Sequence, residues 1–341
     1  MPLFAFATLL PVALIAFGAI FGGWAGLVAL GYMTVIVFGM DRLAARTMEN
    51  ADPEAEFPAA APLLVGLGIG HLVLLGLCVW AVGGMADLRM AEQVVLGIAG
   101  GLVFGQISHP AAHELIHKPS RALRLLGRVI YTTLLAGHHA SAHLRVHHTY
   151  VASDKDPSSA PLGEGFYRYV LRATRGSFVS AFRAETEMLR RGGKPLWRHP
   201  FALYLGGGAL CLVLSFAVGG TATLAAYVAM CLYAQLQILM SDYVQHYGLR
   251  RKEAADGRLE PVGPQHSWNA PHWFSSALTL NAPRHSDHHV SPVRPYPALQ
   301  LNKDEMPCLP YPLPVMAVLV MAPPIWRRVM DKRVRKWTPE G

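Results

Sequence analysis

The sequence predicts an all-α integral membrane protein: six transmembrane helices carrying a histidine-rich cytoplasmic cap. Three observations predict it. Of 341 residues, 52% are hydrophobic and only 15% charged, against about 25% charged in an ordinary soluble domain. The apolar residues gather into six runs, 3–21, 24–40, 62–84, 93–109, 202–219 and 222–241. Most approach the ~20 residues that cross a hydrocarbon core, with 24–40 and 93–109 at the short limit. A buried soluble helix accounts for one such run but not for six. Finally, fifteen of the sixteen histidines lie at or after His109, at the border of the runs or outside them.

Taken in order, runs 3–21 and 24–40 read as a helical hairpin, its turn at Gly22-Gly23 too short to carry a domain. No basic stretch precedes the first run, so it does not read as a secretory signal. An acidic loop, 41–61, leads to the hairpin 62–84/93–109, which completes four spans within 1–109. Residues 110–201 read as a cytoplasmic insert, loop-like at 154–159 and helical at 164–191, where Arg and Glu are frequent. The third hairpin is 202–241. Residues 242–341 read as a cytoplasmic C-terminal cap, and the whole chain as one membrane-embedded domain. Pro292, Pro295, Pro297, Pro307, Pro310, Pro312 and Pro314 argue against long regular elements there. The run 313–325, apolar but short and holding Pro314, Pro323 and Pro324, reads as interfacial.

Lys and Arg fix the expected orientation. Two lie in 41–61, one in 85–91, fourteen in 109–201 and thirteen in 242–341. By the positive-inside rule the two large segments face the cytoplasm, and an even number of spans places both termini there, in the inner (plasma) membrane. The same bias explains most of the +8 net charge. No basic recognition helix or aromatic-interleaved basic patch accompanies it, so nucleic acid is not an expected partner. Cys78, Cys211, Cys231 and Cys308 are scattered without a C-x-x-C pair, which excludes a disulfide framework, a zinc ribbon and an internal iron–sulfur centre.

Nine histidines stand in four groups: His113 and His117 in "HELIH", His143, His147 and His148 in "HLRVHH", His246 in "VQHYG", and His285, His288 and His289 in "RHSDHH". Metal binding is the usual reason to gather neutral imidazoles. On an α-helix, i and i+4 share a face, so His113/His117 and His143/His147 are each expected to pinch one ion. The doublets His147-His148 and His288-His289 aim successive rings apart, one for each of two ions. Nine imidazoles overfill one zinc, which takes three or four ligands. They suit two six-coordinate ions with positions left for oxygen or water. Imidazole serves iron, copper and zinc alike. H-E-x-x-H is also a zinc-protease motif, but that reading leaves seven histidines unexplained. A metal carrier would need ionisable groups through the spans, and His71 aside these are nearly absent.

Among the other histidines, His109 stands in i, i+4 relation to His113 and is the first further ligand candidate. His138 and His139 precede the second cluster as ligand-supporting or substrate-side candidates. His71 reads as a helix-contact residue, and His199, His266 and His272 as ordinary loop histidines.

"HELIHK" at 113–118, "HLRVHH" at 143–148, "YVQHYGL" at 243–249 and "RHSDHH" at 284–289 resemble the membrane-bound alkane 1-monooxygenases, non-haem di-iron enzymes of the membrane fatty acid desaturase/hydroxylase superfamily. "SDKDPSSAPLGEGFYRYVLR" at 153–172 and "HSWNAPHWF" at 266–274 extend the likeness over roughly 100–330. Membrane desaturases share three of the boxes; the "HYG" histidine and the flanking text favour the hydroxylases. The resemblance implies two iron ions on the nine histidines, O₂ as co-substrate, and hydroxylation of medium- or long-chain n-alkanes to 1-alkanols. It also implies electrons from a rubredoxin that a rubredoxin reductase reduces, and an apolar substrate drawn from membrane lipid. The alternative is a sister oxygenase or desaturase acting on fatty acyl, aryl-methyl or isoprenoid chains.

The chain departs from the family pattern in places. Ala142 stands where the family usually has Glu, Asp242 and Gln245 where it has Asn and Glu, and Ala282-Pro283 where it has Leu-Gln. Two of these changes remove carboxylates that could orient ligands. Glu114, Asp242 and Asp287 remain as candidates for that work, with Asp154, Asp156 and Arg284 as cap-ordering residues.

Overall fold

Every regular element in the computed structural model, which describes residues 1–44 and 46–338, is helical; β pairing among the described residues is limited to isolated bridges such as Thr47 with His272. Among the described residues, five helices are long and apolar enough to cross a membrane: Pro2–Phe21, Ala25–Ala44, Ala60–Val82, Met90–Ile116 and Phe201–His246. Their outer faces expose Phe17, Val35, Val73 and Val213 among many large apolar side chains. Such a belt is tolerated against lipid and not against water, so this is a multi-pass membrane protein.

The fifth helix carries the last two predicted runs. It loses helical geometry at Gly219 and Gly220, the latter at φ 69°, a left-handed value that glycine adopts without steric cost. The chain reverses there. A side chain at Gly207 would meet Thr132, and Tyr227, on the other side of the break, donates to the carbonyl of Thr133 at 2.7 Å. The first hairpin turns in the same way, through Gly22 and Gly23 at φ 67° and 74°. Its turn is held by Glu92, which accepts from the Gly23 N–H at 2.7 Å.

Three features position the cap. The Met90–Ile116 helix runs past its apolar run and carries His109 and His113 on the same rod. The insert folds as Arg121–Thr133, then a short helix over 138–150 with a π turn at His143–His147, then Phe166–Arg191. The 46–59 loop is laced into the C-terminal segment. Arg284, 1% exposed, donates to Asn50 Oδ1 at 2.7 Å, to Glu49 O at 3.1 Å and to the carbonyls of Met48 and Leu299. Asp41, at the end of the second helix, accepts from the Phe274 N–H at 2.8 Å and so caps the Trp273–Leu278 helix.

The expectation of no long element after 242 is corrected by the 15-residue helix Pro323–Trp337. Pro323 and Pro324 occupy its first turn, where a missing N–H costs nothing. The 313–325 run is divided between the Leu313–Leu319 helix and the start of that helix. The last three residues of 242–341 lie outside the described residues. His71 fills its expected role: Nδ1 lies 3.0 Å from Ser108 Oγ and Nε2 2.9 Å from Thr133 Oγ1, joining three helices.

Candidate metal centre

Four segments far apart in sequence deliver their imidazoles to one buried place. His113, His117, His143 and His288 bring ring nitrogens within 4.8 Å of one another, and His147, His246, His285 and His289 do the same beside them. The ninth, His148, adjoins the first group, its Nε2 2.9 Å from that of His143 and 3.2 Å from that of His288. Its ring also lies 4.7 Å from that of His289, so the two groups share a wall.

The pairing differs from the i, i+4 expectation in one respect. His113 and His117 share a group, but His143 and His147 divide between the two, their rings 5.2 Å apart. The π turn that holds them changes the angular step of an α-helix. The doublet His288-His289 divides as expected, one ring to each group.

Proton sharing does not satisfy these contacts. His117 Nε2 is 3.0 Å from His143 Nε2, which also meets His148. His285 Nε2 meets both His246, at 3.0 Å, and His289, at 3.1 Å. A neutral imidazole nitrogen has either one proton or one lone pair, so a nitrogen with two such neighbours cannot bond well to both. The Nε2 atoms of His113 and His147 are buried with no hydrogen-bond partner among the described residues. Convergent lone pairs of this kind fit cations. Burial, then neighbouring imidazole charge, hold His143, His148, His285, His288 and His289 well below the usual histidine pKa, and burial with the Lys118 charge brings His117 down to about 4. The rings are thus neutral and ready to ligate.

His147 is the exception. Burial pulls it down, but the carboxylates of Asp156 and Asp242 together outweigh burial and the net shift is upward. Its Nδ1 donates to Asp156 Oδ2 at 2.8 Å. Asp156 is itself fixed, accepting from Ser159 Oγ at 2.7 Å and from the Ser158 N–H at 3.0 Å. A carboxylate on the far nitrogen sets a ligand's tautomer and direction.

The hydrogen-bond partners of the other carboxylates expected in that role are residues outside the nine histidines. Glu114 pairs with Lys118 at 3.1 Å, Asp242 accepts from Ser158 Oγ at 3.2 Å, and Asp287 takes Arg294 at 2.5 Å and the Gln300 N–H at 2.9 Å. The sequence offers Asp156 as a cap-ordering residue and not as a partner of His147; its position nine residues beyond that ring carries no helical signal. His109 bonds Tyr131 Oη at 2.9 Å, His139 stacks 5.8 Å from His143, and His138 turns away onto Phe178. Two departures from the family pattern meet: Gln245 Nε2 donates to the Ala282 carbonyl at 3.0 Å, joining the segment before His246 to the one before His285. The third, Ala142, is a buried small residue.

A cavity of about 160 Å³ opens from both groups. His113, His143 and His285 form its floor, and Leu102, Tyr233, Leu313 and Val318 are among its walls.

The model of the fatty acid desaturase family matches residues 92–317. Alkane 1-monooxygenase 1 of Pseudomonas aeruginosa is 34% identical over 328 residues, covering 89% of this chain and 83% of that protein. The chain belongs to the alkane 1-monooxygenase family. The Acinetobacter baylyi alkane 1-monooxygenase is 36% identical over 71% of this chain and 60% of its own length. That of Pseudomonas putida is 31% identical over 78% and 66%. Family membership and the convergence of all nine motif histidines point the same way.

Proposed function

We propose that this protein hydroxylates the terminal carbon of medium- or long-chain n-alkanes, with two iron ions on the nine histidines and electrons from a rubredoxin reduced by its reductase. The observation that carries the reading is the pair of adjoining imidazole groups at the end of a largely apolar cavity. An unactivated C–H bond offers no group for acid–base chemistry; iron bound there supplies the activation of O₂ that such a bond requires. His113, His117, His143, His148 and His288 would hold one ion, and His147, His246, His285 and His289 the other.

The chain's own contribution is placement. The cavity between the Met90–Ile116 and Phe201–His246 helices admits an apolar chain from lipid and aligns it end-on to His113 and His285. Asp156 fixes the direction of His147, and the buried Arg284 anchors the segment bearing His285, His288 and His289. A separate electron carrier fits the four scattered cysteines, which offer no paired cluster ligands. Arg168, Arg175 and Arg183 are exposed at near-heptad spacing along one helix, a face that complements an acidic carrier. On this reading the termini and metal centre are cytoplasmic, the orientation that the Lys and Arg distribution favours.

The test is to supply the membrane protein with rubredoxin, its reductase, ¹⁸O₂ and a mixture of n-alkanes. Singly labelled 1-alkanols support the reading. Alkenes from acyl substrates, with alkanes untouched, would replace it by the desaturase alternative.

A further inference from the structure

The cavity above the histidines is not lined as a purely hydrocarbon guest requires. Several of its polar side chains have protein partners: Ser241 donates to Gln245 at 3.0 Å, Gln245 to Ala282 O at 3.0 Å, and Thr279 to Ser275 O at 2.8 Å. Two side-chain oxygens have none. The Oε1 atoms of Gln106 and Gln237 are buried on the cavity wall with no hydrogen-bond partner among the described residues. Gln237 is held in that pose. Its Nε2 donates to the Gly101 carbonyl at 2.8 Å; only the nitrogen can make that bond, so the oxygen is left free.

The opposing helix is built to receive it. A Cβ at Gly105 would lie 2.4 Å from the Gln237 amide carbon, and one at Gly101 would lie 2.3 Å from the Tyr233 ring. Two glycines one turn apart therefore make room for a polar and an aromatic side chain between the helices. An unpaired acceptor in a low-dielectric cavity is costly unless a guest supplies a donor. A methylene chain has none. A carboxylate has none either and brings a charge.

We propose that Gln237 and Gln106 form a hydroxyl-binding station, and that the cavity takes an apolar chain bearing a hydroxyl group remote from the carbon that reacts. This rests on the hydroxylase reading above and narrows its substrate class. Gln106 precedes His113 by seven residues, about 10 Å of helix, and Gln237 precedes His246 by nine, about 14 Å. The hydroxyl is thus held well away from the metal-binding end. The reaction keeps the parent balance. One terminal C–H bond is exchanged for C–OH using one atom of O₂; the other atom leaves as water with two protons and two electrons from the carrier. A 1-alkanol becomes an α,ω-diol.

The test is direct binding, which does not depend on turnover. Purified full-length protein is titrated with 1-dodecanol and with n-dodecane, and affinities are read from thermal stabilisation. The wild type should favour dodecanol by about tenfold or more, the worth of one or two hydrogen bonds in a dry site. Gln237→Leu and Gln106→Leu should each reduce that preference while leaving dodecane binding unchanged or tighter. Equal binding of the two ligands by the wild type overturns the proposal, as does a preference that survives in the variants. If Gln237→Leu does not fold, Gln106→Leu decides. Reconstituted enzyme that oxidises dodecane but shows no dodecanol preference refutes the station alone; enzyme that oxidises neither while keeping the preference refutes the hydroxylase reading instead.

Discussion

His147 and Asp156 form a hydrogen-bonded pair, Nδ1 to Oδ2 at 2.8 Å, both side chains buried beside the second imidazole group. The pair links a loop with no metal-ligand spacing of its own to the ring that completes that group. Asp156→Ala should lower metal affinity or activity by about 10- to 100-fold, and Asp156→Asn, which retains an acceptor oxygen, by less. Metal content after dialysis and turnover number check this. Undiminished affinity in Asp156→Ala would leave the carboxylate a loop-ordering residue only.

Arg284 makes its neighbours' folding depend on it. Replacing it by Met removes the donors that satisfy Asn50, Glu49, Met48 and Leu299. The buried Leu299 carbonyl left unpaired costs about 1–3 kcal/mol, and the ties to Asn50, Glu49 and Met48 are lost with it, so Arg284→Met should lower the thermal midpoint. The 46–59 loop should also become protease-sensitive. Lys in its place offers fewer donors without the planar fork and should rescue only partly.

The metal-free protein should lose stability on acidification. His117 falls to about 4 in the fold against 6.5 unfolded, so between those values the unfolded chain holds more protons than the folded one. Stability therefore rises with pH across that window and is lost as pH falls from about 6.5 toward about 4. The other lowered cap histidines act in the same direction. His147, shifted upward by Asp156 and Asp242, acts in the opposite one. Thermal midpoints of apoprotein measured from pH 8 to pH 4 should fall; a flat or rising profile would contradict the burial of neutral rings.

Gly101 lets the Tyr233 ring sit close against its helix at the cavity wall. Gly101→Ala places a Cβ 2.3 Å from the ring, which forces Tyr233 toward the cavity. Substrate preference should move to shorter chains, seen in the products from an alkane mixture. An unchanged distribution would show that Tyr233 does not bound the bore.

Much of this architecture was legible in residue patterns because its causes are local. Apolar runs of spanning length are set by the hydrocarbon thickness, and the 3–40 hairpin and the turn at Gly219-Gly220 follow from glycines between such runs. The nine histidines were visible because metal binding concentrates one residue type. What stayed hidden was long-range. The sharing of His143 and His147 between two groups depends on a π turn, and the service of Asp156 to His147 depends on how a loop folds back. The late helix Pro323–Trp337 was masked by prolines that start it rather than interrupt it. Gln237 reads as an ordinary polar helix residue until Gly101 and Gly105 are seen facing it.

Metal stoichiometry of the purified protein tests the central claim most directly. Elemental analysis should find close to two irons per chain, with His285→Ala losing iron while remaining inserted in the membrane. A single zinc per chain, or full iron retention in His285→Ala, would contradict a pair of adjoining histidine-held irons.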